Sequence, residues 1–377
     1  MTTDQRHPAR TMPFEDLLSG LEAARAQRAV YARGDGNGLL LWCYTPRCVY
    51  DSLWSPHSTL ARGLIVDPAA RRVLATPFPK FFNLGESGES FPDRPFEVFE
   101  KLDGSLIILF HHQGQWRTAT KGAFDSPQAL WAAKRLATLD LSALDPDTTY
   151  LAEAIYPENR IVVPYSETGL VLLAAYDGDG FELSYDALNE VAARLSWRAA
   201  MRHAFESERD LVRHAAQLPK TEEGYVVRFA DGLRLKIKGS EYCRVHALIS
   251  RVTPIAIWEA MNAGADMTAM RADLPEEFWG DFDDIRALIG ARLDQRVAEI
   301  RAATAATQHL SDKEIGLGAG GLDRETRPLV FFCRKSGNDF PDRRAREILM
   351  RWVRPTNNAL PGYTASYAMA RMLEEAG

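Results

Sequence analysis

The chain has 377 residues, with 45 Lys and Arg against 51 Asp and Glu and a formal net charge of −6. Its 46% hydrophobic and 25% charged residues supply a large core and exclude wholesale disorder, a collagen-like repeat or a coiled coil. No run approaches the ~18 apolar residues of a membrane span, and the acidic balance argues against non-specific coating of nucleic acid. The length suggests two or three domains. The start, MTTDQRHPAR, lacks the apolar stretch of a secretory signal. Four cysteines, Cys43, Cys48, Cys243 and Cys333, are too few for a disulfide framework, which points to the reducing cytoplasm. Cys43 and Cys48, with His57 nearby, read as buried thiols and not as a metal site.

In chain order, residues 13–33 read as a helix, with Phe14, Leu17, Leu18 and Leu21 at helical spacing. Short β-type runs then dominate: 39–44, 63–67, 96–100, 106–110, 171–177 and 225–229. Helical stretches interrupt them near 126–139, 184–195 and 207–217. After Tyr242 the pattern turns helical, with a long helix over 276–306 and others near 342–353 and 363–375. The expectation is an α+β fold with a sheet-rich domain over 1–244 and an all-helical domain over 245–377.

Two segments carry chemistry. In FEVFEKLDGSLIILF (96–110) two strand-like runs flank Lys101-Leu102-Asp103-Gly104-Ser105, which places Lys101 at a strand end beside a turn. In EEGYVVRFADGLRLKIKG (222–239) Asp231-Gly232 signals a hairpin. Leu233, Leu235 and Ile237 then face one way, and Arg234, Lys236 and Lys238 the other. A two-residue loop sets Lys236 opposite Val227 and Lys238 opposite Tyr225, with Glu223 diagonal to Lys238. One carboxylate and two ammonium groups would share a sheet surface. A polar outer face is the plainer reading of that hairpin alone.

Together these segments resemble the covalent nucleotidyltransferases. Lys101–Gly104 is similar to their KxDG signature, Glu223-Gly224 to motif IV, and Lys236 and Lys238 to the Lys-x-Lys of motif V. ARGLIVD (61–67), PFPKFFNLGE (77–86), TKGAF (120–124) and YLAEAIYPENRIVVPY (150–165) resemble segments of one branch, the phage-type RNA ligase 1 family. Six blocks stand in the family's order between about residues 60 and 242. The resemblance implies a nucleotidyltransferase, ATP-grasp-like ligase domain of antiparallel sheets with flanking helices. It implies ATP as cofactor, Mg²⁺ or Mn²⁺ as metal, and RNA with 3′-hydroxyl and 5′-phosphate ends as partner, with tRNA as one substrate class. An end-healing kinase-phosphatase partner is implied in the same way.

By that resemblance Lys101 is the nucleophile that forms lysyl-AMP, and Lys236 and Lys238 contact the phosphates. A lysine attacks only when neutral, so cationic neighbours and a metal would disfavour its charged form. Glu153 and Glu223 match carboxylates of the nucleotide and metal site, and Glu158 is a weaker match. Arg62, Lys80 and Lys121 match positions that touch ribose or phosphate. Phe82 resembles an adenine-stacking aromatic, and Gly104 would admit close backbone approach to the nucleotide. No GxxxxGK[ST] loop is present, and IGLGAGG (315–321) reads as a chain break.

From Arg334 to Arg354 seven cations stand against Asp339, Asp342 and Glu347, a local balance of +4. Arg343, Arg344, Arg346 and Arg351 are candidate RNA contacts; a solvated helix face is the alternative. A DNA ligase or RNA guanylyltransferase of the same superfamily, or a non-catalytic RNA-binding relative, are the competing functions. The helical tail, where DNA ligases and capping enzymes usually carry an OB-fold, favours RNA ligase.

Overall fold

The computed structural model describes residues 6–86, 90–159, 162–249, 251–274, 278–336, 340, 343–356 and 359–365. The first helix, Phe14–Ala26, buries Leu17, Leu21 and Ala24 at helical spacing. It ends well before residue 33, because Arg28 adopts φ 60° and turns the chain. Past that turn runs strand β1 (Val30–Gly34), joined antiparallel through β2 (Leu40–Tyr44) and β3 (Arg62–Asp67) to β4 (Arg72–Ala75).

Among the described residues, ten further strands build two more sheets. They are β5 (Phe82–Asn83), β6 (Phe96–Lys101), β7 (Ser105–His112), β8 (Gln115–Ala119) and β9 (Thr149–Ile155), then β10 (Gly169–Tyr176), β11 (Arg198–Ala199), β12 (Arg202–His203), β13 (Gly224–Phe229) and β14 (Arg234–Lys238). The second sheet has the order β11-β10-β9-β7-β8 and the third β12-β6-β13-β14-β5. Most pairs are antiparallel, as expected. The exceptions are β10–β11 and β14–β5, which run parallel and make these sheets mixed.

The second sheet is covered on both faces. Ile108, Phe110 and Leu151 pack against Leu41, Ile65 and Ala75 of the first sheet. Ile107, Leu109, Ala152 and Ala154 share a core with the helices Pro127–Leu136 and Tyr185–Arg194. That double cover explains the unbroken apolar run over 106–110.

The third sheet has two unlike faces. Val98, Tyr225, Val227, Leu235 and Ile237 pack on Leu211 and Ala215 of the helix Glu208–Ala215. On the opposite face the ladder aligns Lys101, Gly224 and Lys238 in one row, then Phe99, Val226 and Lys236, then Glu97, Arg228 and Arg234. The hairpin register thus differs by one residue from the sequence expectation: Lys236 lies opposite Val226 and Lys238 opposite Gly224. The loop has three residues, Ala230, Asp231 and Gly232, closed by the Phe229 amide donating to the Leu233 carbonyl, with Gly232 at φ 82°. A two-residue loop would have set Lys236 and Lys238 on the same face as Tyr225 and Val227, which is the apolar one.

The third row is a buried ion network. Glu182 Oε1 accepts from Arg228 Nη1 at 2.6 Å and from Arg234 Nη2 at 2.5 Å, and Glu97 takes the other arm of Arg228. Glu182, Arg228 and Arg234 are all more than nine-tenths buried. Removing one partner strands charge in a low-dielectric site. Glu182→Ala is expected to lower the unfolding free energy by about 3–5 kcal/mol, measured by urea denaturation; an unchanged midpoint would contradict this role for the row.

The chain divides into two compact units, one running to Val245 and the other beginning at His246. The second unit is helical among its described residues. Its core gathers Ile300 of the long helix Trp279–Ala306, Leu329, Val330 and Cys333 of Thr326–Ser336, and Ala345 and Leu349 of Arg343–Trp352. The glycine run follows no strand: Ile315 and Gly316 close the helix Asp312–Gly316, and Gly318, Gly320 and Gly321 turn at positive φ. Residues 363–365 lie in no helix, and 366–375 of the expected last helix fall outside the described residues. Among the described residues no helix is long and apolar enough to cross a membrane.

Candidate active site

Three strand ends converge on one carboxylate. Lys101 closes β6, Lys238 closes β14, and Glu223 immediately precedes β13 between them. Glu223 Oε2 lies 2.6 Å from Lys101 Nζ, and Oε1 lies 3.1 Å from Lys238 Nζ. Gly224 sits at φ 140°, and a Cβ there would fall 2.2 Å from the Ile237 carbonyl, so only glycine lets the strands close around the acid.

The electrostatics correct one expectation. Burial works to lower the pKa of Lys101, but Glu223, then Glu153 and Asp103, outweigh it and hold the ammonium above its ordinary value. Burial works to raise Glu223, yet Lys101 and Lys238 keep it below the usual carboxylate range. The lysines whose charged form is disfavoured are Lys236 and, to a lesser extent, Lys80. Burial first, then the charges of Lys101, Lys80, Arg62 and Lys238, push Lys236 far down; burial first, then Arg62 and Lys121, lower Lys80.

A depressed Glu223 adds stability that is fully present above its unfolded pKa, about 4.3, and is lost as the pH falls through the folded value. Glu223→Gln should therefore cost about 3 kcal/mol near neutrality. The gap to wild type should narrow in urea titrations at pH values below about 4.3. A gap of the same size under acid conditions would contradict the pairing.

The turn after Lys101 is pinned from several sides. Asp103 Oδ2 accepts from the Val162 and Val163 amides at 2.8 and 2.9 Å, and Oδ1 from the Tyr242 hydroxyl at 2.9 Å. The Asp103 amide donates to the Tyr165 hydroxyl at 2.6 Å. Glu153, on β9, accepts the Gly104 amide at 3.1 Å. Ser105 donates to Asn159, which in turn donates to the Ala154 carbonyl. A Cβ on Gly104 would come 2.5 Å from the Ala154 carbonyl, so this glycine is required by close approach to β9.

These groups line a cavity of about 700 Å³. Of the ten residues expected around the nucleotide, nine face it: Arg62, Lys80, Lys101, Gly104, Lys121, Glu153, Glu223, Lys236 and Lys238. Phe82 does not. Its neighbour Phe81 lines the wall instead, with Lys236 Nζ 5.0 Å and Arg62 Cζ 5.6 Å from the ring centroid. Arg62 Nη1 is buried without a hydrogen-bond partner among the described residues, a donor that an anionic ligand would satisfy. Glu158 sits exposed on a short turn, Pro157–Asn159, and is not among the residues that line this cavity.

Residues 60–242 match the RNA ligase family. That segment is 183 of the 377 residues, just under half of the chain. It is 34% identical over 251 residues to RNA ligase 1 of bacteriophage TS2126, a match that covers 57% of this chain and 62% of the relative. It is 25% identical over 213 residues to the RNA ligase of Rhodothermus phage RM378, covering 44% of this chain and 47% of that protein. The chain thus spans about half to just under two thirds of these curated relatives. Among solved structures, an archaeal ATP-dependent RNA ligase aligns over 74% of this chain and 83% of its own, with TM-score 0.50 and 16% identity, a likeness of fold.

Within the matched segment, the residues that hold Lys101 and its turn escape sequence reasoning. Asp103 stands inside the KxDG signature, but its hydrogen-bond partners come from positions 162, 163, 165 and 242, and no local pattern announces them. Phe81 carries no signal of its own, because Phe81-Phe82 is a pair and alternation alone does not say which ring faces the cavity. Glu182, Arg228 and Arg234 also line it, and only long-range packing brings Glu182 to β13 and β14.

The basic residues singled out in the second unit lie on two helices, Arg334 on Thr326–Ser336 and four others on Arg343–Trp352. Arg334 pairs with Asp312 at 3.0 Å and Arg343 with Glu347 at 3.0 Å. Arg343, Arg344, Arg346 and Arg351 are all exposed on Arg343–Trp352. At roughly 100° per residue, Arg343, Arg344, Arg346 and Arg351 fall within one arc of about 160°, and Arg346 donates to the Met261 carbonyl at 3.4 Å. Asp339 and Asp342 fall outside the described residues.

Gly104→Ala should leave the chain folded but cost about 1–3 kcal/mol of stability and displace the Lys101 turn. Unfolding midpoints, with the rate of nucleotide transfer to the protein, check both effects; a variant equal to wild type in both would contradict the close packing of this turn on β9.

Proposed function

We propose that this protein is an ATP-dependent RNA ligase that joins a 3′-hydroxyl to a 5′-phosphate through a lysyl-AMP intermediate on Lys101. The observation that carries the reading is the convergence of nine motif residues on one cavity, with Lys101 in its wall beside an excess of cations. The family match over 60–242 supports the same reaction class.

In this scheme the Lys101 ammonium loses a proton to water and its Nζ attacks the α-phosphorus of ATP. The bond to the β-phosphate breaks and pyrophosphate leaves. The RNA 5′-phosphate then attacks the same phosphorus; the P–N bond breaks and Lys101 regains a proton. The 3′-hydroxyl next attacks the RNA 5′-phosphorus, loses its proton and expels AMP. Lys236 and Lys238 offset charge building on the phosphates, and Arg62, Lys80 and Lys121 bind and orient the polyphosphate.

The metal fit is of the open kind. Among the described residues no group of three or more His, Cys, Asp or Glu is arranged to hold an ion. Two carboxylates beside a phosphate-binding cavity suit Mg²⁺ or Mn²⁺, which take one or two acids and complete their shell with phosphate oxygens and water. Glu153 and Glu223 would hold it, and when bound it would withdraw charge from the phosphate.

Incubation with α-labelled ATP and Mg²⁺ is expected to label the protein, GTP is not, and Lys101→Ala should abolish labelling. Ligation of 5′-phosphorylated RNA should exceed that of nicked DNA. An unlabelled wild-type protein that still binds RNA would favour a non-catalytic RNA-binding relative; GTP labelling would favour a guanylyltransferase.

A further inference from the structure

Lys80 is held in a different way from Lys101 and Lys238. Three aromatic rings surround its ammonium: Nζ lies 5.0 Å from the centroid of Phe82, 5.3 Å from Trp54 and 5.7 Å from Tyr44. The rings brace one another edge-on, Tyr44 against Trp54 at 5.2 Å and Trp54 against Phe82 at 5.4 Å. Phe82, which sequence resemblance assigns to adenine, therefore contacts Lys80 from outside the cavity wall.

The segment that carries Trp54 is rigid for local reasons. Ser55 and Ser58 form a reciprocal capping box at the start of the helix Pro56–Leu60. The Leu53 carbonyl accepts from Ser58 Oγ at 3.2 Å and Cys48 Sγ at 3.4 Å. One turn further on, the Thr59 carbonyl accepts the Lys80 amide at 2.7 Å. A single capped turn thus fixes both the backbone of Lys80 and one ring over its ammonium. Trp54 also precedes residue 60, where the family match begins.

An aromatic face attracts an ammonium without neutralising it. A carboxylate partner, such as Glu223 for Lys101, must be displaced or outcompeted before the lysine can serve phosphate. Ring faces leave the charge and the N–H donors available, while removing rotamer freedom that a four-carbon stem would otherwise lose on binding.

We propose that Trp54, with Phe82, is a positioning residue that presents the Lys80 ammonium to the polyphosphate of ATP. This rests on the ATP-binding reading of the cavity. The alternative use of such a ring, stacking on an RNA base, is separated by the test.

Equilibrium titrations of the full chain with α,β-methylene ATP and Mg²⁺ provide that test. Trp54→Leu is expected to raise Kd ~10-fold and Trp54→Phe only ~3-fold, graded by ring strength. In a Lys80→Ala background Trp54→Leu should change Kd by less than about 2-fold, since the ring acts through the lysine. Melting temperatures report folding of each variant, and the phenylalanine variant keeps the test valid if leucine destabilises the chain. An unchanged Kd in Trp54→Leu, an equal loss with and without Lys80, or a loss of RNA affinity alone would each overturn the proposal. A wild-type chain that binds no nucleotide would overturn the ATP reading as well, whereas nucleotide binding indifferent to Trp54 overturns only this one.

Discussion

One carboxylate organises this site. Glu223 is 3% exposed and accepts from two lysines that arrive on different strands. It can do so because Gly224 lets β13 lie close to the end of β14, and because the ladder sets Lys101, Gly224 and Lys238 in one row. Burial of an acid is costly unless it is paired; here the pairing also fixes where the Lys101 ammonium stands. Residue 224 itself stands in that row, but a Cβ there would meet the Ile237 carbonyl, so the acid reaches both lysines from the position before it.

Around that pair the fold supplies two kinds of support. Backbone and hydroxyl groups fix the turn at Asp103, where the partners of one side chain come from segments up to 139 positions away. Charge fixes the far end of the same sheet face, where Glu182 and Glu97 neutralise Arg228 and Arg234. The cavity between is lined by Arg62, Lys80, Lys121 and Lys236, a surplus of cations over the acids beside them. A polyanion with one reactive phosphate near Lys101 matches that layout better than a neutral ligand.

Much of this is legible in the sequence, and the reasons are physical. Strands over 96–110 and 224–238 follow from alternation and apolar runs, and the resemblance of six ordered blocks to the RNA ligase family points to nine cavity residues. Alternation does not count loop residues, which is why the hairpin register differs by one. Composition cannot report a φ of 60° at Arg28, so helical spacing alone carries the first helix too far. The partners of Asp103 and the ring cluster at Lys80 depend on contacts between distant segments, and local patterns are silent on those. Charge counting suggests a depressed Lys101, whereas the acid beside it wins and the depression falls on Lys236 and, less strongly, on Lys80.

That reversal makes the identity of the nucleophile the sharpest question. By protonation alone Lys236 is the readier amine; by geometry Lys101 is the lysine joined to the pinned turn and paired with Glu223. Peptide mapping of the chain after reaction with ATP and Mg²⁺ measures this directly. A single adenylyl group on Lys101 is the expected result. An adenylyl group on Lys236, or on neither lysine, would contradict the assignment.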